Sequence, residues 1–366
     1  MALPTPRILL GPGPSSVTPR VLEALGRAPI GYLDPELFTL LEDIRTNLRT
    51  LYGTQNDFTF PLTGTGMAGM EACLVNLIEA GDRVVIGVNG FFGLRLVEIS
   101  RRLGAEVTVI NGEWGRILEP EMFSEVLSKL GQVKLVACVH AETSTGVATP
   151  LAGIAEVAHT HGAVFLADMV TSLGGIPVDV DSSGVDAAYS GTQKCVGAPP
   201  GLSPLTISER AWEVANNRKS PVANWYLDWK LLRAYYDAPH AYHHTVPVNM
   251  LFALQEALQE VMEEGLEARY ARHREVSAYL MEGLAELGIR PFAQEGYRLP
   301  QLNSIHIPES VTDEVAVRKR LLEQYGLEIG GGLGDLKGKI WRIGTMGASA
   351  THRNVTLLLA ALKEIL

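Results

Sequence analysis

In DFTFPLTGTGMAGMEACLVNLIEAG (residues 57–81) a β-rich run, DFTFPLT (57–63), meets a glycine turn and then a helix-like stretch. The same alternation continues on the C-terminal side. RVVIGV (83–88) reads as a strand and GLRLVEISRRLG (93–104) as a helix. AEVTVI (105–110), KLVACVH (134–140), AVFLAD (163–168) and DAAYSG (186–191) are short β-rich runs, with GIAEVAHTHG (153–162) as a helix between two of them. LSPLTIS (202–208) reads as a further strand. Short apolar runs alternating with helices predict an α/β fold whose mainly parallel sheet is covered by helices on both faces. Ligands of such sheets bind beyond the carboxyl ends of the strands, so the strand ends carry the functional reading.

Beyond about residue 210 the pattern changes. An aromatic-rich connection (224–244) leads to a helical pattern with Leu254, Leu258, Met262 and Leu266 on one face. Four further stretches, 302–308, 315–326, 339–347 and 354–366, then read strand, helix, strand, helix. Two units are predicted: a large domain over 16–255 and a smaller C-terminal α/β domain over 256–366, with segment 1–15 beside the latter.

Composition narrows the function classes. The 366 residues are 46% hydrophobic and 20% charged, the balance of a chain with a sizeable core rather than a disordered one. There are 31 basic and 41 acidic residues, a net charge of −10, and no Lys/Arg-rich run, which argues against nucleic-acid and acidic-membrane binding. No apolar stretch approaches the roughly 20 residues that span a bilayer, and the Pro- and Gly-containing N-terminus lacks the pattern of a signal peptide. Three cysteines (Cys73, Cys138, Cys195) at no metal-like spacing fit a reducing compartment, and a cytoplasmic protein is expected. Metal chemistry is not expected. The adjacent His243 and His244 should point to opposite faces of an extended segment, and His140-Ala-Glu142 lacks the following P-C-x-x-C of a zinc deaminase.

Three features stand at predicted strand ends. Thr63-Gly64-Thr65-Gly66-Met67-Ala68-Gly69 lies between a strand and a helix, where glycines admit a ligand to the backbone and the helix start favours phosphate. It matches G-x-G-x-x-G formally, but the next strand ends in Val88-Asn89-Gly90 without the acid a dinucleotide site wants. Asp168 closes AVFLAD, where a buried carboxylate needs a partner. Lys194 follows DAAYSG in a small, apolar loop that favours the neutral amine of a Schiff-base lysine. Alone, each has a plainer reading: a packing turn, a helix cap, a surface lysine. Together they match the needs of pyridoxal phosphate, namely a phosphate cradle, a carboxylate for the pyridine nitrogen and a lysine for the aldehyde. Phe91 or Phe92, after RVVIGV, offers an aromatic face for the ring.

The resemblance is then specific. LLGPGPSSVTPRVLEAL (9–25), residues 63–82, HAETSTGV (140–147), DMVTSLGG (168–175), YSGTQKCVGAPPGLSP (189–204), YHHTVPV (242–248) and KIWRIGTMG (339–347) resemble the serine–pyruvate and alanine–glyoxylate aminotransferases, class V of pyridoxal-phosphate fold type I. The likeness runs in order over nearly the whole chain. It implies that Lys194 carries the Schiff base and Asp168 pairs with the pyridine nitrogen. It implies further that the backbone around Thr65, Gly66 and Met67 holds the phosphate with help from Gln193, that Ser144 contacts the cofactor, and that Val170 packs on the ring opposite Phe92. Arg342 would bind the substrate carboxylate. Tyr242 and Thr245 would reach the phosphate of a neighbouring subunit, so a homodimer with shared sites is implied. Some relatives carry tryptophan where Phe92 stands and histidine where Met67 stands.

The expected reaction is ping-pong transamination between a small L-amino acid, serine or alanine, and glyoxylate or pyruvate. Ureidoglycine–glyoxylate and aspartate transamination are alternatives, and a non-catalytic cofactor-binding scaffold is a remote one. A cysteine desulfurase of the same fold would need a mobile-loop cysteine, and none of the three cysteines is so placed.

Overall fold

The structure, a computed structural model, describes residues 5–366; the first four residues of the expected N-terminal segment lie outside them. Seven strands form the central sheet: β1 (Phe58–Thr63), β2 (Arg83–Val88), β3 (Glu106–Asn111), β4 (Leu135–Val139), β5 (Val164–Asp168), β6 (Ala187–Tyr189) and β7 (Leu202–Ile207). Their spatial order is β1-β7-β6-β5-β4-β2-β3. All neighbouring pairs are parallel except those of β7, which is antiparallel to both β1 and β6. The sheet is therefore mainly parallel, and its strands are buried almost throughout, which is why they read as short continuous apolar runs.

Register decides where the chemistry sits. Val139, Asp168 and Tyr189 are Cα partners across β4, β5 and β6, so three strands finish at one level. Beside them, β1 runs through Gly64 and Thr65 into α1 (Gly66–Leu77), and β2 runs through Asn89 and Gly90 into α2 (Phe91–Arg102). Helix α1 is buried on almost every side, consistent with its Ala-, Gly- and Cys-rich sequence against the sheet. The earlier helices, Pro19–Leu25 and Pro35–Tyr52, each place proline in the first turn behind a capping Thr18 or Asp34, which accepts from the Val21 or Glu36 N–H.

A second core gathers Leu280, Leu284, Ile305, Leu321, Trp341, Ile343 and Leu358 around a three-stranded antiparallel sheet. Its strands are β8 (Leu302–His306), β9 (Gly330–Gly331) and β10 (Ile340–Gly344), with β10 central. Leu10 belongs to this core, and Ile8–Leu9 pairs in parallel with Leu327–Glu328, so residues 8–10 are tied to the small domain, whereas Pro12 and Ser15 bond to the loop of Lys194 in the large one. The expected division after residue 255 falls inside α3 (Val248–Glu264), whose Leu251, Leu254, Leu258 and Val261 pack in the large core. Side chains of the following helix, α4 (Leu266–Glu286), enter the second core from Val276 onward. The apolar spacing that runs from Leu254 to Leu266 is interrupted at Gly265, where φ is +80°. No helix among the described residues is long and apolar enough to cross a membrane.

Candidate active site

The aligned strand ends open into a cavity lined by Thr65, Gly66, Met67, Phe92, Asp168, Val170, Gln193 and Lys194, together with Met70, Val139, Thr143 and Tyr189. A larger open groove of about 470 Å³ lies elsewhere, walled by paired arginines and glutamates, and holds none of the strand-end residues.

Asp168 is 3% exposed. Its Oδ1 accepts from the Val170 N–H at 2.9 Å and its Oδ2 from the Tyr189 hydroxyl at 2.7 Å. Burial pushes its pKa up to about 6, while the Tyr189 and Val170 donors pull it back toward the carboxylate form. The side chain is thus held from two sides on the cavity wall. Tyr189, the last residue of β6, was quoted in the sequence motif but given no role there; its hydroxyl is the principal orienting donor for Asp168.

Lys194 lies in the turn after β6 and is 8% exposed. Burial and the nearby Arg342 cation lower it to about 8, so the neutral amine is accessible near physiological pH. Its Nζ donates to the Pro12 carbonyl oxygen. The Ser15 Oγ donates to the Lys194 carbonyl at 2.8 Å, and the Ser15 N–H to that of Gln193 at 2.8 Å. Gly13 has φ +111°, and a Cβ there would stand 2.5 Å from Lys194 Nζ, so only glycine fits. This N-terminal wall is invisible to local sequence reading, because 182 residues separate Pro12 from Lys194.

Opposite the lysine, Thr65 is the N-cap of α1, yet its side chain makes no capping hydrogen bond. The first-turn N–H groups of Gly66 and Met67 have no intrahelical acceptors, and together with the Thr65 hydroxyl they form an anion-binding set at the positive end of the helix. Gly64 takes φ +133°, and a Cβ there would stand 2.5 Å from that of Ala68, which explains the glycine before the cradle. Gln193 Oε1 is buried without a partner. A turn of that amide would present its NH2 to the same anion.

Phe92 stands in the first turn of α2 and is held there by Glu142. This fully buried carboxylate accepts from the N–H groups of Phe92 (3.2 Å), Gly93 (3.3 Å) and Ser144 (3.0 Å) and from the Ser144 hydroxyl (2.6 Å). Burial raises its pKa against these donors. Ser144 Oγ also accepts from the Phe91 N–H at 2.8 Å. Ser144 is therefore engaged behind the cavity wall rather than lining it. Sequence reading singled out Glu142 only in a metal motif; its quoted neighbours hid a helix cap that becomes visible once β4 and β2 are known to be adjacent.

Arg342 comes from β10 of the small domain and is 6% exposed. Its Nε donates to the Gly331 carbonyl at 2.8 Å and its Nη1 to that of Thr143, a cavity residue, at 3.3 Å. Burial lowers it to about 10, and the Glu142 charge opposes that shift. Tyr242 and Thr245 lie apart from this cavity, on the surface: Tyr242 is 59% exposed and its ring is 5.0 Å from that of Tyr32. The expectation that His243 and His244 face apart is corrected, since their Nδ1 atoms are 2.7 Å from each other. The segment is not a flat strand here. His243 stacks on Trp225 and His244 Nε2 meets the Thr63 hydroxyl at 2.9 Å, which turns the two rings together.

The cavity fits a phosphorylated pyridine aldehyde. It joins an anion-binding helix start, a buried Gln193 amide whose NH2 can turn to the anion, a carboxylate, an amine of lowered pKa and a phenyl ring in one space.

The family model Aminotransferase class-V matches residues 22–334. The chain is 39% identical to the (S)-ureidoglycine–glyoxylate transaminase of Bacillus subtilis (strain 168), over 98% of this chain and 90% of that one. It is 39% identical to the alanine–glyoxylate aminotransferase of Callithrix jacchus, over 100% and 89%. The crystal structure of an alanine–glyoxylate aminotransferase from Nostoc sp. superposes with a TM-score of 0.97 at 44% identity, covering 100% of this chain and 96% of that one.

Proposed function

The chain belongs to the class-V aminotransferases and is a transaminase; on that premise we propose that it uses pyridoxal phosphate to pass the amino group of L-alanine or L-serine to glyoxylate. The observation that carries this reading is the single cavity in which Lys194, Asp168 and the α1 start converge beside Arg342.

Lys194 would hold the cofactor covalently, Asp168 its ring nitrogen, Thr65, Gly66, Met67 and Gln193 its phosphate, and Phe92 and Val170 its two faces. When bound, pyridoxal phosphate supplies an electron sink for the pair left at the α-carbon of an amino acid. Arg342 offers a planar, forked set of donors that can meet the substrate carboxylate in two hydrogen bonds. Anchoring the carboxylate fixes which α-carbon bond faces Lys194. The Lys194 amine, neutral above about pH 8, takes the α-proton. Asp168, buried and oriented by Tyr189 and Val170, would supply the negative charge that pairs with the ring nitrogen. The Pro12–Gly13 wall lies against the amine. In the first half-reaction one water would supply the oxygen of the 2-oxo acid that leaves, while the amino group stays with the cofactor; the acceptor 2-oxo acid would take up that amino group and return the water in the reverse sequence.

All three named relatives are described as glyoxylate transaminases, which supports glyoxylate as acceptor. Among the described residues, Arg342 is the one arginine whose guanidinium bonds a residue lining the cavity, and this supports donors with a single carboxylate. The test is a steady-state panel of L-alanine, L-serine, (S)-ureidoglycine, L-aspartate and L-glutamate against glyoxylate. Alanine or serine should give the highest kcat/KM; dominance of aspartate or glutamate would overturn the donor assignment.

Lys194 also makes a pH prediction. Its pKa is lowered, so the ammonium persists below about pH 8 and the nucleophilic amine prevails above it. Uptake of pyridoxal phosphate by the apoprotein, fixed by borohydride, should speed up about tenfold per pH unit and level off near pH 8. An unperturbed lysine would keep the rate climbing to about pH 10.

The exposed Tyr242 and Thr245, with Tyr32, Trp225 and Tyr226 nearby in the exposed set, support the homodimer reading, in which they complete the phosphate site of a second copy. Mixing Lys194→Ala with a Tyr242→Phe/Thr245→Ala variant should restore activity through hybrid dimers that hold one intact site. A fully active monomer in sedimentation would refute the shared site. All three cysteines are free and buried, which supports the cytoplasmic reading.

A further inference from the structure

We infer that Arg269 is a positioning residue for Lys194, acting from α4 through the backbone of the lysine loop. The inference rests on the reading of Lys194 as the cofactor-bearing lysine.

Arg269 is 5% exposed and spends its guanidinium on three segments. Nη2 donates to the Cys195 carbonyl at 2.5 Å, in the Cys195–Val196 peptide one residue past Lys194. Nε donates to the Gly174 carbonyl at 3.1 Å, in the turn that leaves Asp168. Nη1 meets Glu264 Oε2 at 2.6 Å. The guanidinium is planar and its donors point in fixed directions, so bonds from one group to Cys195 and Gly174 set the lysine loop relative to the Asp168 turn. The same Glu264 holds Arg272, with contacts of 2.5 and 2.9 Å, and Arg272 Nη1 donates to the carbonyls of Gly347 (2.9 Å) and Ala350 (3.0 Å). Those carbonyls belong to the loop that follows Arg342. His273 closes the arrangement. Its Nδ1 pairs with the Arg269 carbonyl at 2.8 Å and its Nε2 accepts the Gly347 N–H at 3.1 Å, the pattern of a neutral ring, which burial favours. One ionic knot, with Arg269 buried and Glu264 and Arg272 half-buried on the wall of the open groove, therefore joins the segments that carry Asp168, Lys194 and Arg342, without lining the strand-end cavity itself.

Elsewhere the loop is held by Ser15, which binds the Lys194 carbonyl from the N-terminal wall, and by the Thr192 hydroxyl, which binds the Pro199 carbonyl at 2.6 Å; among the described residues Arg269 is the side chain that binds the Cys195 carbonyl. Losing the Arg269 bonds leaves the Cys195 carbonyl without its donor and frees the loop to shift. A misplacement of about 1 Å costs a reacting group on the order of 10²-fold in rate.

The experiment compares wild type, Arg269→Met, Arg269→Lys and the control Arg218→Met as apoproteins, each verified as folded by circular dichroism and assayed well below its melting temperature. Arg218 also clamps buried carbonyls, those of Asn76 and Ile78, but far along α1 from the cavity. The readout is the rate at which pyridoxal phosphate becomes fixed by borohydride on Lys194, followed by peptide mass. Arg269→Met should slow fixation by about 10- to 100-fold, lower kcat in step, and leave KM for L-alanine within about threefold. Arg269→Lys keeps the charge beside Glu264 and the fold, but a single ammonium cannot reproduce the two-carbonyl fork, so it should lose at least about tenfold as well. Arg218→Met should lower the melting temperature and leave fixation unchanged. Fixation within threefold of wild type in both Arg269 variants, or an equal loss in Arg218→Met, overturns the inference alone. Wild-type protein that fixes the cofactor on another lysine overturns the reading of Lys194 and this inference with it.

Discussion

Lys194→Ala should lower transamination by about 10⁴-fold or more and leave the fold intact. The variant loses both the covalent anchor and the proton-transfer group, and a positioned acid–base residue alone contributes about 10²- to 10⁴-fold. Stability moves the other way. A lysine whose pKa falls on folding, to about 8 from 10.5, makes the native state release a proton that the unfolded chain keeps. That penalty is fully present below about pH 8 and fades as pH rises toward 10.5, so the alanine variant should gain melting temperature at pH 7 relative to wild type and lose the advantage near pH 10.5. Added methylamine should restore part of the rate by entering the space the side chain leaves. Activity of Lys194→Ala within tenfold of wild type would remove Lys194 from the mechanism.

Asp168→Asn should slow α-proton removal by about 10³-fold, because the charge opposite the pyridine nitrogen is what keeps the cofactor an effective electron sink. The substitution is close to isosteric. Asn retains an acceptor for the Val170 N–H, and the Tyr189 hydroxyl can turn to accept from the new amide. Cofactor uptake should therefore change by less than about tenfold, since the helix-start cradle and Lys194 are untouched. The measurement is loss of the α-deuterium of labelled L-alanine in a single turnover. A rate near wild type would make Asp168 a cap for the following turn and nothing more.

The chemistry at the strand ends was legible because it is local. A strand that stops at Asp168, a lysine just past Tyr189 and glycines between β1 and α1 are each written in a few consecutive residues. What escaped depends on distant segments meeting. Strand β7 reads like its neighbours, and only its pairing with β1 and β6 makes it antiparallel. The break at Gly265 escaped because Leu254, Leu258, Met262 and Leu266 keep helical spacing across it, while the interruption lies in the backbone. Glu142 supports Phe92 from 50 residues away in sequence, and Pro12 reaches Lys194 across the domain boundary. Tyr189 sat in plain view, but its role needs the register that places it beside Asp168.

The central claim is that this cavity moves an amino group in two half-reactions. It is tested most directly by mixing the protein, loaded with pyridoxal phosphate, with excess L-alanine and no acceptor, and measuring pyruvate. The account predicts a rapid rise to one pyruvate per subunit, then a halt until glyoxylate is added, when pyruvate and glycine form together. No 2-oxo acid from alanine, serine or any other amino acid, or continued release past one equivalent without an acceptor, would contradict it.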